Sequence, residues 1–188
     1  MAAVNLKKFL SLLNRRSAKE FEFKCSCCGD IHQGIPSYVS QYPPLYHTIP
    51  EEERETRVNI RSDDCVIDEE WFFVRGCIEI RVRGYSDPFV WGVWVSLSQD
   101  NYQKWLEHFD QKERSHVAPF FAWLTPNLGP YPITDESLKT MVHLRDNGIR
   151  PFIEIQKTSH PLSIEYHKGI SPDRLIEIYE MMEHPKDN

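Results

Sequence analysis

The sequence predicts an α+β fold in which helices pack against an antiparallel sheet. Two patterns predict the sheet: a three-stranded meander over residues 71–98 and a hairpin over residues 138–156. Apolar residues at helical spacing elsewhere predict the helices. The chain has 188 residues, of which 40% are hydrophobic and 12% aromatic, and this is enough to bury one core. We therefore expect a single domain over residues 21–188, preceded by an extension of residues 1–20.

The extension is predicted to be an amphipathic helix, because its apolar residues recur at helical spacing and all charged side chains of residues 1–19 are basic. The apolar positions are Leu6, Phe9, Leu10 and Leu13. We expect this helix to dock on the domain. A helix that binds a partner or a membrane surface, and an organelle transit peptide, are the alternatives.

The segment 71–98 is the expected main source of core. Its strands are Trp71–Arg75, Cys77–Arg83 and Phe89–Ser98. The second and third strands alternate with period two, which indicates one buried face. Gly76 is expected to form a bulge or tight turn between the first two strands. Trp91 is expected in the core, whereas Trp94 lies on the less apolar face, as a binding platform or covered by a helix.

The other elements follow from turn and cap chemistry. Asn147-Gly148 tolerates positive φ and predicts the hairpin turn. Ser98 and Ser171 are expected N-caps, and Gly169 is an expected helix end. The expected strands are 21–24, 120–124, 138–145 and 151–156, and the expected helices run from Ser98 to about Gln111, from His160 to Gly169 and from Pro172 to about Glu183.

Charge is distributed unevenly along the chain. The net charge is −6, and residues 1–19 hold five of the 22 basic and none of the 28 acidic side chains. The acidic remainder argues against general nucleic-acid binding, which needs phosphate neutralisation. It is compatible with a basic protein partner, or it serves solubility alone. No apolar run approaches the roughly 20 residues that a transmembrane segment needs.

The cysteines indicate a reducing compartment. There are five, an odd number, and three are crowded at Cys25, Cys27 and Cys28. Because this is a poor disulfide framework for a chain of this length, we expect a cytoplasmic protein.

Cys25-x-x-Cys28-Gly29 is typical of a turn that holds one edge of a zinc tetrahedron. No second such pair exists, so the set must be completed by more distant residues. His32 and Cys65 are the simplest completions, and His47, Cys77 and His160 are others. The predicted structural Zn²⁺ ligands are Cys25, Cys28, His32 and Cys65. Reduced, partly buried thiols and a redox dithiol remain alternatives.

Motifs of common enzyme classes are absent from the sequence, including the phosphate-binding loop, the dinucleotide-binding glycines, the nucleophile elbow and H-E-x-x-H. Cys65, His160 and Asp64 supply the residue types of a thiol hydrolase, but their spacing does not support one.

Several landmarks resemble the bacterial family catalogued as domain of unknown function 2199. They are Cys25-x-x-Cys28-Gly29-x-x-His32, Asp64-Cys65-Val66-Ile67, Phe72-Phe73-Val74-Arg75-Gly76, Trp91-Gly92-Val93-Trp94-Val95-Ser96-Leu97-Ser98, Arg150-Pro151, His160-Pro161-Leu162 and Gly169-Ile170. The resemblance covers about residues 21–184. It implies a bacterial, cytoplasmic, single-domain protein and brings no assigned activity or catalytic residue.

The sequence therefore favours a non-enzymatic protein-interaction domain, of a regulatory or immunity type, with a structural zinc at the Cys25-x-x-Cys28 turn. The alternative is a metal- or thiol-dependent enzyme that acts on a small molecule. An open coordination position in a deep cleft would favour the enzyme, and a closed set of four protein ligands would favour the structural site.

Overall fold

The computed structural model describes residues 20–134 and 136–185. The expected amphipathic helix of residues 1–20 lies outside the described residues, except for Glu20.

The described chain alternates short strands with a few helices. The strands are β1 Glu22–Lys24, β2 Ile31–Gln33, β3 Ser37–Val39, β4 Val58–Ile60, β5 Asp64–Ile67, β6 Trp71–Ile80, β7 Phe89–Leu97, β8 Phe120–Leu124, β9 Leu138–His143 and β10 Phe152–Ile155. The α-helices are α1 Arg54–Arg57, α2 Gln99–His108, α3 Pro161–Lys168 and α4 Pro172–Glu183, and Pro44–Thr48 and Glu51–Glu53 are 3-10 turns. The predicted α+β content is confirmed.

Five strands close into a ring in the order β6–β7–β8–β9–β10, and β10 returns to β6. Four of the ring's contacts are antiparallel, but β10 runs parallel to β6, with Phe152 opposite Cys77. A hydrogen bond of 2.8 Å from the Cys77 amide to the Pro151 carbonyl supports this junction. The expectation of a simple antiparallel three-stranded meander plus hairpin is therefore wrong. The first two expected strands of the meander are one strand, β6. The β6–β7 and β9–β10 hairpins join through β8 on one side and through the parallel β10–β6 contact on the other, which gives one mixed, closed sheet.

The remaining strands extend this ring. On one side β3 pairs in parallel with β7, and on the other β5 and β4 continue antiparallel from β6. The strands β1 and β2 form a separate hairpin.

Gly76 lies inside a continuous strand, contrary to the expected bulge or turn. Strand β6 pairs with β7 without interruption from Phe72 opposite Leu97 to Ile80 opposite Phe89. A Cβ at Gly76 would lie 2.5 Å from Cδ1 of Ile153 on β10. The glycine therefore lets β10 approach β6 closely where the ring closes.

The three longer α-helices, α2, α3 and α4, begin where the sequence predicts. The Ser98 side chain accepts a hydrogen bond from the Asn101 amide, and Ser171 accepts one from Arg174. These caps satisfy amides that lack partners within the helix. Gly169 ends α3 with φ +73°.

Two apolar clusters lie on opposite faces of the sheet. The larger fills the ring and includes Trp91 and Ile153, which are at most 2% exposed. The smaller consists of Ile49, Cys65, Ile67, Phe73 and Trp94.

Within the described residues, no helix has both the length and the apolar character that crossing a bilayer requires.

Candidate metal centre

A tight turn joins β1 to β2 and carries the cysteine pair. The amide of Cys25 donates to the Asp30 carbonyl at 2.9 Å, and the amide of Gly29 donates to the Cys25 carbonyl at 3.1 Å. Gly29 has φ +81°, a left-handed conformation that glycine adopts at no steric cost. The turn directs the amide of Cys27 at Cys25 Sγ, 3.4 Å away. It therefore places Cys25 and Cys28 side by side, with a backbone donor for sulfur.

Four side chains bring ligand atoms together beside this turn. One ligand atom from each of Cys25, Cys28, His32 and His184 lies within 4.8 Å of the other three. Around a tetrahedral zinc, such atoms lie about 3.3–3.8 Å apart, given zinc bonds of about 2.3 Å to sulfur and 2.0–2.1 Å to nitrogen. Cys28 Sγ and His32 Nε2 already lie 3.3 Å apart. Shifts of about 1 Å or less would therefore bring the set to tetrahedral spacing.

The imidazole of His32 is held in a fixed orientation. His32 lies on β2, and its ring centroid is 5.4 Å from that of Phe23 and 4.7 Å from that of Tyr179. The Tyr179 hydroxyl lies 3.0 Å from His32 Nδ1. If Nδ1 carries the proton and donates it to Tyr179, the Nε2 lone pair points at Cys28 and is available to a metal.

The last helix, α4, supplies the other side of the site. One oxygen of Glu180 accepts hydrogen bonds from the amide of Ser26 at 2.8 Å and from its hydroxyl at 2.7 Å. The same carboxylate lies 3.8 Å from Cys25 Sγ. These contacts attach the cysteine turn to a helix more than 150 positions away in the sequence.

His184 is the C-cap residue of α4. Its Nε2 is buried and has no hydrogen-bond partner among the described residues. A buried nitrogen without a partner is costly, and coordination of a metal would satisfy it.

Local contacts shift the pKa values around the site. The Ser26 hydroxyl and amide lower the pKa of Glu180, which keeps this carboxylate charged. For Cys28, which is exposed, the Asp30 amide lowers the pKa, but desolvation by neighbouring atoms, the hydrogen bond and charge of Cys25 and the charge of Asp30 together outweigh that effect and raise it. The thiol of Cys28 is therefore ionised less readily than an ordinary thiol.

Three of the four predicted ligands meet in this group, and Cys65 does not. Cys65 lies on β5, fully buried in the smaller apolar cluster. His184 takes its place, although no spacing in the sequence links it to the cysteine turn. The other completions considered, His47, Cys77 and His160, are also outside the group. Cys27 and Glu180 form a second, smaller group with Cys25.

The three residues that could supply a thiol hydrolase are Cys65, Asp64 and His160. In the structure each of them is buried or makes structural hydrogen bonds. Burial and the charge of Asp64 raise the pKa of Cys65 to about 12, so this thiol is protonated at neutral pH. Asp64 accepts hydrogen bonds from Arg61 at 2.7 Å and from the Tyr102 hydroxyl at 2.6 Å. His160 Nδ1 accepts from the Leu162 amide at the start of α3.

Trp94 is expected either to form a binding platform or to be covered by a helix. The structure shows that it is covered. It is 3% exposed, its indole N–H donates to the Ser40 carbonyl at 3.1 Å, and Leu45 and Tyr46 of a 3-10 turn pack against its cluster.

Comparison with known proteins identifies the family. No curated protein and no solved structure gives a significant match. A family model described as "Uncharacterized protein conserved in bacteria (DUF2199)" matches residues 24–170. The matched range includes Cys25, Cys28 and His32 and ends before His184. The chain therefore belongs to the bacterial DUF2199 family.

Proposed function

We propose that the protein is a non-enzymatic interaction domain, of a regulatory or immunity type, that carries a structural zinc ion. The zinc would be held by Cys25, Cys28, His32 and His184. The observation that carries this proposal is the group of four ligand atoms within 4.8 Å of one another. Two thiolates and two imidazoles form a common structural zinc set.

A structural role fits this group better than a catalytic one. Catalytic zinc keeps one position open for water or substrate, whereas structural zinc has four protein ligands. Here four protein side chains are available. The ligands also come from opposite ends of the described chain, so the metal would tie the β1–β2 hairpin to the end of α4.

The acidic body supports the interaction role. Beyond residue 19 the chain has 17 basic and 28 acidic side chains, which would attract a basic protein partner. Free thiols and thiolate ligands persist in a reducing cytosol, which we propose as the location. We also propose that residues 21–188 act as one domain, because the metal would link both of its ends.

Metal analysis is the decisive experiment. Protein purified without chelator should contain about one zinc per chain, and Cys28→Ser should lose it. Cys77→Ser is the matched control, because Cys77 lies on β6 outside both candidate groups. Cys27→Ser and His184→Ala distinguish the two groups: zinc retained in the first and lost in the second supports the four-residue set. Wild-type protein that remains free of zinc when refolded with it would refute the site.

The interaction role has its own test. The zinc-loaded protein, immobilised and exposed to a native bacterial lysate, should retain a specific partner that high salt releases. Failure to retain any protein, while the fold remains intact by circular dichroism, would count against this role and leave the metal result unaffected.

A further inference from the structure

An aromatic groove lies on the outer face of three neighbouring strands, on the side opposite the ring's interior. Ser96 on β7 pairs with Phe73 on β6 and with Trp123 on β8, so these three residues form one row across the sheet. Trp71 precedes Phe73 by two positions on β6 and therefore faces the same way. The row spans about 10 Å, since neighbouring strands lie about 4.8 Å apart.

The groove is open, and its sides are made of two exposed indoles. Trp71 is 48% exposed and Trp123 is 41% exposed, whereas Phe73 between them is 7% exposed. The cavity has a volume of about 650 Å³, and Pro44 and Leu45 contribute to its wall. Large apolar side chains left this exposed next to one another are typical of binding sites.

The groove offers hydrogen-bond donors, and one charge lies beside it: Lys139 on β9 pairs with Trp123 and holds its Nζ 5.9 Å from the centroid of the Trp123 ring. Neither Trp71 nor Trp123 donates its indole N–H to another described residue. The hydroxyls of Thr125 and Ser137 lie 3.4 Å apart at the rim, so one of their two protons is free to donate elsewhere. No acidic or basic side chain lines the cavity. The matching ligand is therefore uncharged where it contacts the groove, with an apolar surface and accessible acceptors.

We propose that this groove binds an extended, proline-rich segment of a partner protein. A polyproline II helix has no internal hydrogen bonds, so its carbonyls remain available as acceptors. Its proline rings supply an apolar surface, and proline has no N–H that would need an acceptor from the groove. Aromatic side chains with indole donors are the features that recognise such segments.

Other occupants fit the groove less well. A sugar presents many hydroxyl donors, and the side chains that line the groove offer them only the hydroxyl acceptors of Thr48, Ser96, Thr125 and Ser137, with no carboxylate or amide. An added β-strand needs an unpaired strand edge, but β6, β7 and β8 are each paired on both sides. An α-helix bonds its own carbonyls and would leave the indole donors unused.

The inference deepens the proposed interaction role, because it names a surface and the chemistry of the partner, and it is independent of the zinc site. The probe is fluorescein-labelled decaproline, with a Gly-Ser peptide of equal length as the reference. Fluorescence polarisation on the zinc-loaded protein should show saturable binding of decaproline and none of the Gly-Ser peptide. Trp71→Ala and Trp123→Ala should each weaken binding by about tenfold or more, as is typical of aromatic anchors.

One further variant separates the contribution of the aromatic ring from that of the indole N–H, and another serves as a control outside the groove. Trp123→Phe keeps a ring but loses the donor, so we expect intermediate weakening. Ile149→Ala removes a side chain that is 52% exposed and does not line the groove, so binding should be unchanged. Because both tryptophans are exposed, the alanine variants should keep the wild-type circular dichroism spectrum.

Three results would overturn the proposal. These are no decaproline binding by the wild type, decaproline binding in both alanine variants that equals that of the wild type, and binding of cellohexaose to the same tryptophans without binding of decaproline. Zinc content measured on the same samples keeps the two proposals apart. If the protein contains zinc but does not bind decaproline, only the groove proposal is refuted. If the protein binds decaproline but contains no zinc, only the metal-site proposal is refuted.

Discussion

The hydroxyl of Tyr179 lies 3.0 Å from Nδ1 of His32, although 147 positions separate the two residues. The contact orients the imidazole whose other nitrogen lies 3.3 Å from Cys28 Sγ. Metal-ligating histidines usually donate their second ring N–H to a partner of this kind. A residue on α4 thus contacts one ring nitrogen of a β2 histidine and leaves the other nitrogen facing Cys28.

Tyr179→Phe should weaken zinc binding without abolishing it. The loss of such a partner typically costs about 10–100-fold in metal affinity, because the ring then samples other orientations and tautomers. Competition with a chromophoric chelator measures the change. Tyr166→Phe on α3, outside the metal group, is the control and should keep the wild-type affinity. Equal affinities in Tyr179→Phe and the wild type would show that the hydroxyl plays no part in coordination.

Removal of zinc should lower the melting temperature of the wild type. A ligand present at about 1,000 times its dissociation constant stabilises the folded state by about 4 kcal/mol, or roughly 10 °C for a chain of this size. Differential scanning calorimetry with and without EDTA measures the shift. His184→Ala should melt near the EDTA-treated wild type and should no longer respond to EDTA. A variant that still responds fully would exclude His184 as a ligand.

Gly76→Ala should destabilise the fold. The added methyl would lie 2.5 Å from Cδ1 of Ile153 and 3.0 Å from the Pro151 carbonyl, so β10 would have to move away from β6. Overpacking of this kind costs about 1–3 kcal/mol, which urea unfolding resolves. Gly92→Ala is the comparison, because its methyl would lie 3.1 Å from the side chain of Val39. Val39 is 52% exposed on the edge strand β3, which can shift outwards, so this substitution should cost less. Equal stability of Gly76→Ala and the wild type would contradict the close approach.

Asp146→Asn should make the unfolding midpoint less dependent on pH. The amides of Ser115 and Arg114 and the Ser115 hydroxyl lower the pKa of Asp146 below its ordinary value of 3.8. Because the folded pKa is the lower one, the stabilisation is fully present above pH 3.8 and is lost as the pH falls through the folded value. The variant should therefore have a lower urea midpoint than the wild type at pH 7, with a difference that shrinks below pH 3.8.

Asp87→Asn is the control for this measurement, because Asp87 lies in the exposed turn before β7. Its urea midpoint should follow that of the wild type at every pH. A constant difference between Asp146→Asn and the wild type from pH 7 to below pH 3.8 would show that the lowered pKa does not contribute.

Local chemistry predicts most of the elements but not their assembly. Ser98 and Ser171 act through amides three residues away, and Asn147-Gly148 forms its turn through its own backbone, so these features can be read within a short window. The closing contact between Phe152 and Cys77 depends on two strands that are far apart in sequence. Gly76 illustrates the difficulty, because a glycine at a turn and a glycine under a neighbouring strand look alike in sequence.

The same limit applies to the candidate metal site. Cys25, Cys28 and His32 lie within eight positions, and the structure brings them together. The fourth ligand comes from a distant part of the chain. The sequence alone does not distinguish Cys65 from any of the histidines as this ligand. His184 enters the group only because α4 packs against the β1–β2 hairpin, a tertiary contact that no local pattern signals.

The closed ring of strands has a consequence for protein synthesis. The β6–β7 hairpin can form once residue 97 has left the ribosome, but β9 and β10 are made some 40–60 residues later. Until then, nascent chains expose bare strand edges that can pair with neighbouring chains. Premature termination before residue 155 should therefore give aggregating fragments and not a smaller soluble version of the protein.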